Sequence, residues 1–156
     1  MKSDVIPIEI KGLVSSGQGW AVFVGNDEKV FVIQVDHGMG LTIKRFMHNV
    51  RNERPLTHDL INRIFAGFGI TVEHVVITEL KSSTYYARLV LKQSNELGTK
   101  VVSIDSRPSD CLALATAQKR PIYVTASLFA EVEDMSHILQ QLRESGADTG
   151  IEPESE

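Results

Sequence analysis

The stretch Ile70–Lys92, ITVEHVVITELKSSTYYARLVLK, decides the fold. It divides into two β-rich runs, Ile70–Leu80 and Thr84–Lys92, dense in Val, Ile, Thr and Tyr and joined by Lys81-Ser82-Ser83. A connection this short can only join antiparallel neighbours, because a parallel pair needs a crossover of a dozen residues or more. A hairpin in mid-chain excludes a strictly alternating β–α order and points to an α+β fold.

The flanking sequence agrees. Upstream, Ile6, Ile8 and Ile10 alternate with polar residues and Pro7, a strand whose Pro7 favours an edge. Trp20–Val24 and Val30–Val35 form a second hairpin across Gly25-Asn26-Asp27-Glu28. From Met39 the period changes: Met39, Ile43, Phe46, Met47 and Val50 make one helical stripe, with Gly38 and Gly40 blurring its start. Thr57 reads as the N-cap of the next helix, with Asp59 in its first turn and Leu60, Ile61, Ile64, Phe65 and Phe68 along its apolar face. Downstream, Gln93–Thr99 reads as a polar loop and Val101–Ile104 as a short strand ending at Asp105. Pro108 and Asp110 then open a third helix. Pro121–Val124 is a brief extended piece, and Val132, Met135, Ile138, Leu139 and Leu142 mark a last amphipathic helix. The expectation is a mixed, mostly antiparallel sheet with amphipathic helices packed on it. A weak internal echo, Arg54-Pro55 before Asp59 and Arg107-Pro108 before Asp110, fits ordinary helix starts better than a duplication.

The chain has 156 residues, of which 42% are hydrophobic and 23% charged, enough for one domain with its own core and too little for two. Its longest apolar run, Trp20–Val24, is too short for a bilayer, and residues 1–11 lack the apolar stretch of a signal peptide, so a cytoplasmic location is expected. The single cysteine, Cys111, excludes a disulfide framework and a Cys-rich zinc site. The net charge of −4 is concentrated at one end. Residues 144–156 hold five acids and no base, which leaves the remainder at +1. The expected organisation is a domain over 1–143 and an acidic tail over 144–156 that does not pack. Lys44–Arg63 carries five bases against Glu53 and Asp59, an excess able to meet phosphates or simply to face water.

Two segments concentrate reactive side chains. Arg54-Pro55-Leu56-Thr57-His58-Asp59-Leu60 sets a cation, an imidazole and a carboxylate around a helix start, where exposed N–H groups favour an anion. His58 could move a proton near neutral pH, and Arg54 could fork onto a phosphate. The same residues also make an ordinary helix start, with Thr57 capping, Asp59 answering the dipole and His58 exposed. Asp105-Ser106-Arg107-Pro108-Ser109-Asp110 spans a strand end and a helix start, where functional side chains collect. Its two carboxylates could hold Mg²⁺ or Mn²⁺, or pair with Arg107 while a serine caps the helix. Glu79-Leu80-Lys81 has an E-x-K spacing common by chance, and Gly12–Gly19 lacks the Lys-Ser/Thr of a P-loop.

Three ordered motifs carry a family resemblance: Arg54–Leu60 (RPLTHDL), Ser83–Leu89 (STYYARL), and Ile104–Asp110 (IDSRPSD) followed by Leu112-Ala113-Leu114-Ala115. Over roughly Val30 to Val124 the chain resembles the bifunctional nuclease domain family. The resemblance implies DNase and RNase activity and a compact α+β fold that self-associates. One departure is visible: where the family shows Ile-Gly and then a Glu opening the helix, this chain has Val35-Asp36 and Met39, so a catalytic role of that Glu would be lost unless Asp36 or His37 substitutes.

The expected function is therefore hydrolysis of phosphodiester bonds in DNA or RNA. Asp105 and Asp110 would hold a divalent metal, and His58, with Asp59, would serve proton transfer. Arg54, Arg107 and Ser109 would bind phosphate. The competing expectation is a non-catalytic binding or assembly module on the same fold, in which the Arg-Pro motifs are helix starts and interface anchors.

Overall fold

The computed structural model describes residues 4–151. In chain order the elements are β1 (Val5–Ser16), β2 (Gly19–Gly25), β3 (Val30–Asp36), α1 (His37–Met47), α2 (Thr57–Gly67), β4 (Ile70–Lys81), β5 (Thr84–Asn95), β6 (Gly98–Ser106), α3 (Pro108–Gln118), β7 (Ile122–Thr125), α4 (Ala126–Glu131) and α5 (Ser136–Glu144). The strands form one sheet in the order β3-β2-β1-β7-β4-β5-β6. Only β4 and β7 run parallel, so the fold is α+β with a mixed, mostly antiparallel sheet.

The deciding hairpin is β4–β5. Ser82 and Ser83 both take positive φ, 50° and 64°, the left-handed pair that matches strand twist in a two-residue turn. β1 links the two halves of the sheet: Val5–Ile8 pairs with β7, and Glu9–Ser16 pairs with β2, with a register shift between Ile10 and Gly12. Pro7 lies opposite Tyr123 where β2 does not reach, so its missing N–H costs no ladder bond although β1 is an interior strand.

The core forms around α3. Cys111, Leu112, Ala113, Leu114 and Ala115 are all buried, so this helix is apolar all round, packed between α1 and strands β4 and β5. The left-handed Lys119 ends it. Beside it, α1 approaches Trp20 so closely that a Cβ on Gly40 would lie 2.2 Å from the indole ring.

Several boundaries differ from the sequence expectation. α1 begins at His37, because the Asp36 carboxylate caps it by accepting the Met39 N–H at 2.8 Å. The cap position of α2 is Leu56, with Thr57 already helical; Asp59 reaches back to accept the Leu56 N–H at 2.9 Å. The supposed loop Gln93–Thr99 is mostly strand, since β5 continues to Asn95 and β6 starts at Gly98. β6 is an edge strand exposed along nearly all its length, so no apolar alternation marks it. The final helix is shorter than its stripe: α5 starts only at Ser136, so Val132 and Met135 precede it, and a separate short helix, α4, comes before them.

The expectation of an unpacked tail does not describe residues 145–151. Thr149 is 5% exposed, and its carbonyl accepts the Leu13 N–H at 2.7 Å. Lys44 Nζ meets Asp148 Oδ2 at 3.2 Å. Composition hid this because the packing is done by backbone and one threonine rather than by an apolar stripe. The acids at 152, 154 and 156 lie outside the described residues.

Candidate active site

The two reactive segments meet. His58, in the first turn of α2, and Asp110, in the first turn of α3, are joined by a 2.8 Å contact between Nε2 and Oδ1. The other carboxylate oxygen, Oδ2, accepts the Arg107 Nε–H at 2.9 Å. Arg107 itself is the cap residue of α3, and Pro108 at the first helical position has no N–H to satisfy. Helix geometry thus sets the arrangement: Arg107 and Asp110 are one turn apart and face each other, while α2 delivers His58 from the side.

The pairing has an electrostatic consequence. Asp110 titrates near 2, well below an ordinary carboxyl, chiefly through the hydrogen bond with His58 and also through Arg107; partial burial opposes both. Arg107 is held more firmly protonated, first by its hydrogen bond to Asp110 and more weakly by the charge of Asp36, the cap of α1. The starts of α2 and α3 thereby meet in one region, with their N–H ends and positive dipoles.

His58 is 8% exposed, so the expectation of a merely exposed imidazole is corrected. With Nε2 tied to a carboxylate, the favoured neutral tautomer carries its proton there. Among the described residues Nδ1 makes no hydrogen bond, so its lone pair is uncommitted although the ring is largely buried. The arrangement presents a lone pair on an imidazole oriented by a carboxylate, the requirement for a general base.

The remaining candidates divide. Ser109 stands beside the pair, half-buried in the first turn of α3. Asp59 is taken up by the Leu56 N–H and lines a different groove with Arg51 and Arg63. Arg54 is exposed and makes no hydrogen bond or ion pair among the described residues. Asp105 is exposed on β6, across from Arg88. Glu79 and Lys81 pair with each other at 2.9 Å on the surface.

These donors do not fit the expected Mg²⁺ or Mn²⁺ ion. Both oxygens of Asp110 are engaged by His58 and Arg107. Among the described residues no three His, Cys, Asp or Glu side chains converge as a metal would require. Cys111, next to Asp110, is equally unsuited to nucleophilic attack: burial pushes its thiol up to about 12. Asp36, one of the two residues the sequence offered in place of the family's Glu, caps α1 and acts on Arg107 only weakly, through its charge. Its signal was its place directly before a helix whose start two glycines obscured.

The chain belongs to the bifunctional nuclease domain family, which matches residues 22–136. It is 30% identical over 106 residues to an uncharacterized protein of Mycobacterium tuberculosis, an alignment covering 68% of this chain and 60% of that protein. It is 37% identical over 79 residues to bifunctional nuclease 1 of Oryza sativa subsp. japonica, covering 50% of this chain and 23% of that one. The same figures hold for the bifunctional nuclease of Oryza minuta. The chain thus spans less than two thirds of the length of these relatives. No helix among the described residues is long and apolar enough to cross a membrane.

Proposed function

We propose that this chain binds DNA or RNA and cleaves phosphodiester bonds with His58 as general base, Asp110 as its orienting partner and Arg107 as the phosphate clamp. The observation that carries the reading is the 2.8 Å contact between His58 and Asp110, one residue from each reactive segment. His58 Nδ1 takes the proton from the attacking oxygen, a water or, in RNA, the neighbouring 2′-hydroxyl; as that oxygen bonds to phosphorus, the bond from phosphorus to the leaving oxygen breaks, and the leaving oxygen takes up a proton from the imidazolium or from water. Asp110, ionised down to about pH 2, stabilises the imidazolium that forms. Arg107 reaches Asp110 through Nε, which leaves its two terminal nitrogens to fork onto the non-bridging phosphate oxygens as charge builds there. The N–H groups of Ser109 and Asp110, which precede the first hydrogen bond of α3, add to the same field. No step passes through a metal held by Asp105 and Asp110.

The test is a cleavage assay on single-stranded and duplex DNA and RNA, with and without chelator. His58→Gln retains a hydrogen-bond donor for Asp110 but no titratable nitrogen, and should lower cleavage by about 10²–10⁴-fold in a folded protein. Wild-type rates from His58→Gln would overturn the role of His58. Loss of all cleavage on chelation would overturn the metal-free scheme. A folded wild type with no cleavage on any substrate would leave the binding-module reading, in which the same contact clasps α2 to α3.

A further inference from the structure

On α2, two side chains have hydrogen-bonding groups that are held in place yet still unused. Gln118, the last residue of α3, accepts the Val72 N–H on Oε1 at 2.9 Å, so its amide nitrogen is the group turned to α2. That nitrogen donates to Asn62 Oδ1 at 3.0 Å. The two bonds in succession fix the Asn62 amide: its oxygen is engaged, and its NH2 group remains a donor with no partner among the described residues. One turn earlier, Asp59 Oδ2 accepts the Leu56 N–H at 2.9 Å, while Oδ1 accepts nothing among the described residues. A fixed donor and a fixed acceptor thus stand three residues apart, as side-chain neighbours on one helix.

Both residues line a groove of about 380 Å³ between α2 and the segment after α1, the size of a small-molecule site. Phe46 adds an aromatic ring to the lining, and Arg51 and Arg63 add two cations. Neither arginine forms an ion pair among the described residues, and Asp59 is the one acid in the lining. Surplus positive charge, an aromatic ring and a donor beside an acceptor suit a planar base that carries a phosphate.

We propose that this groove binds a guanine nucleotide, with Asp59 and Asn62 reading the base and Arg51 and Arg63 holding its phosphate. The choice of base follows from its base-pairing edge. Guanine sets two adjacent N–H groups beside one carbonyl oxygen. The carboxylate of Asp59 has lone pairs for both N–H groups, even with Leu56 bound, and the Asn62 NH2 group meets the carbonyl. Adenine and cytosine offer the carboxylate one donor. Uracil and thymine set a carbonyl beside their single N–H, against the carboxylate. An edge read in this way cannot be base-paired, so the ligand is an unpaired base. Asp59 follows His58 directly in α2. In a bound single strand, the groove therefore holds the guanine next to the bond that is cut, and this placement rests on the function proposed above.

Equilibrium dialysis of mononucleotides tests the groove without any cleavage, since these ligands contain no bond to cut. At concentrations up to about 1 mM, guanosine monophosphate should bind at least about tenfold more tightly than the adenosine, cytidine and uridine monophosphates. Inosine monophosphate, which lacks the exocyclic amino group, should bind about tenfold more weakly than guanosine monophosphate. Asp59→Asn keeps an oxygen for Leu56, and Asn62→Asp keeps one for Gln118. Each should remove the preference for guanine while far-UV circular dichroism stays that of the wild type. Arg63→Gln should weaken all the nucleotides alike. Equal affinities for the four nucleotides, no binding of any, or an undiminished preference in Asp59→Asn would overturn the proposal and leave the role of His58 untouched. Selective binding by a protein that cleaves nothing would uphold the groove and remove the nuclease reading. Mapping of cuts in RNA strands with and without guanine separates the two sources of the nucleotide. Cuts clustered beside guanine, and scattered by Asp59→Asn, identify a base of the strand; cuts indifferent to guanine, with selective binding intact, identify a free guanine nucleotide.

Discussion

His58 Nε2 lies 2.8 Å from Asp110 Oδ1, a contact between the first turns of two helices whose residues stand 52 positions apart. His58 is also the one buried residue of α2, a helix with four large apolar neighbours left in water. The contact proposed to orient a base is therefore also the contact that anchors the helix. Function and stability are coupled at this residue, and variants must be chosen to separate them.

Asp110 makes the protein acid-sensitive in a defined window. Its carboxyl ionises near 2 when folded and near 3.8 when the chain is open, so the folded state binds fewer protons between those values. The stabilisation is complete above about pH 4 and is lost as pH falls through about 2, worth at most about 2 kcal/mol. Thermal melts of Asp110→Asn should show a lower Tm than wild type at neutral pH and a difference that narrows between pH 4 and 2. Equal acid sensitivity in both proteins would count against the pairing.

Gly40→Ala should destabilise the protein by about 1–3 kcal/mol, the usual range for overpacking. The new methyl would meet the Trp20 ring, which also donates from Nε1 to His37 Nδ1 at 3.1 Å. Trp20 is the only tryptophan, so its emission reports the displacement directly. An unchanged spectrum together with an unchanged Tm would mean that α1 and the indole are not packed this closely.

Truncation after Ser145 should cost about 1–3 kcal/mol, the penalty for exposing the Leu13 N–H without its partner and for uncovering a fully buried leucine. The carbonyl of Thr149 supplies that partner, and Gly150 at φ 72° lies against Leu13. Chemical denaturation of full-length and truncated chains would decide it. A shift below about 0.5 kcal/mol, the usual limit for surface changes, would restore the view of residues 146–151 as an appendage.

What the sequence showed and what it hid follow from periodicity. The β4–β5 hairpin and α3 were legible because Val75, Ile77, Leu89 and Leu112 lie on faces that are actually buried. β6 was cut short because an exposed edge strand needs no alternation, and the packing of Thr149 left no apolar mark. At the site, the paired Arg-Pro starts suggested a shared location for His58 or Asp59 with Asp105 or Asp110, and the pair that meets is His58 and Asp110. That Asp59 turns back on its own helix and that both Asp110 oxygens are taken depend on the angle between α2 and α3, which no local pattern encodes.

Met39→Glu restores the acidic residue typical of the family and tests whether this fold has room for it. Met39 is 7% exposed, packed in the main core with Trp20 and Ile43, and its N–H is bound by Asp36. A carboxylate there would be buried among apolar side chains, a penalty of several kcal/mol unless the helix shifts to expose it. The expected outcome is a large drop in Tm and no gain in cleavage. Asp36, not position 39, supplies the acid at this helix start, and its charge acts weakly on Arg107. Asp36→Asn should therefore lower cleavage more than it lowers Tm, because asparagine still caps α1 while one of the charges acting on Arg107 disappears. A Met39→Glu protein that melts like wild type and cleaves faster would show that the side chain points to the site and that Met39 is a lost catalytic position rather than a core one.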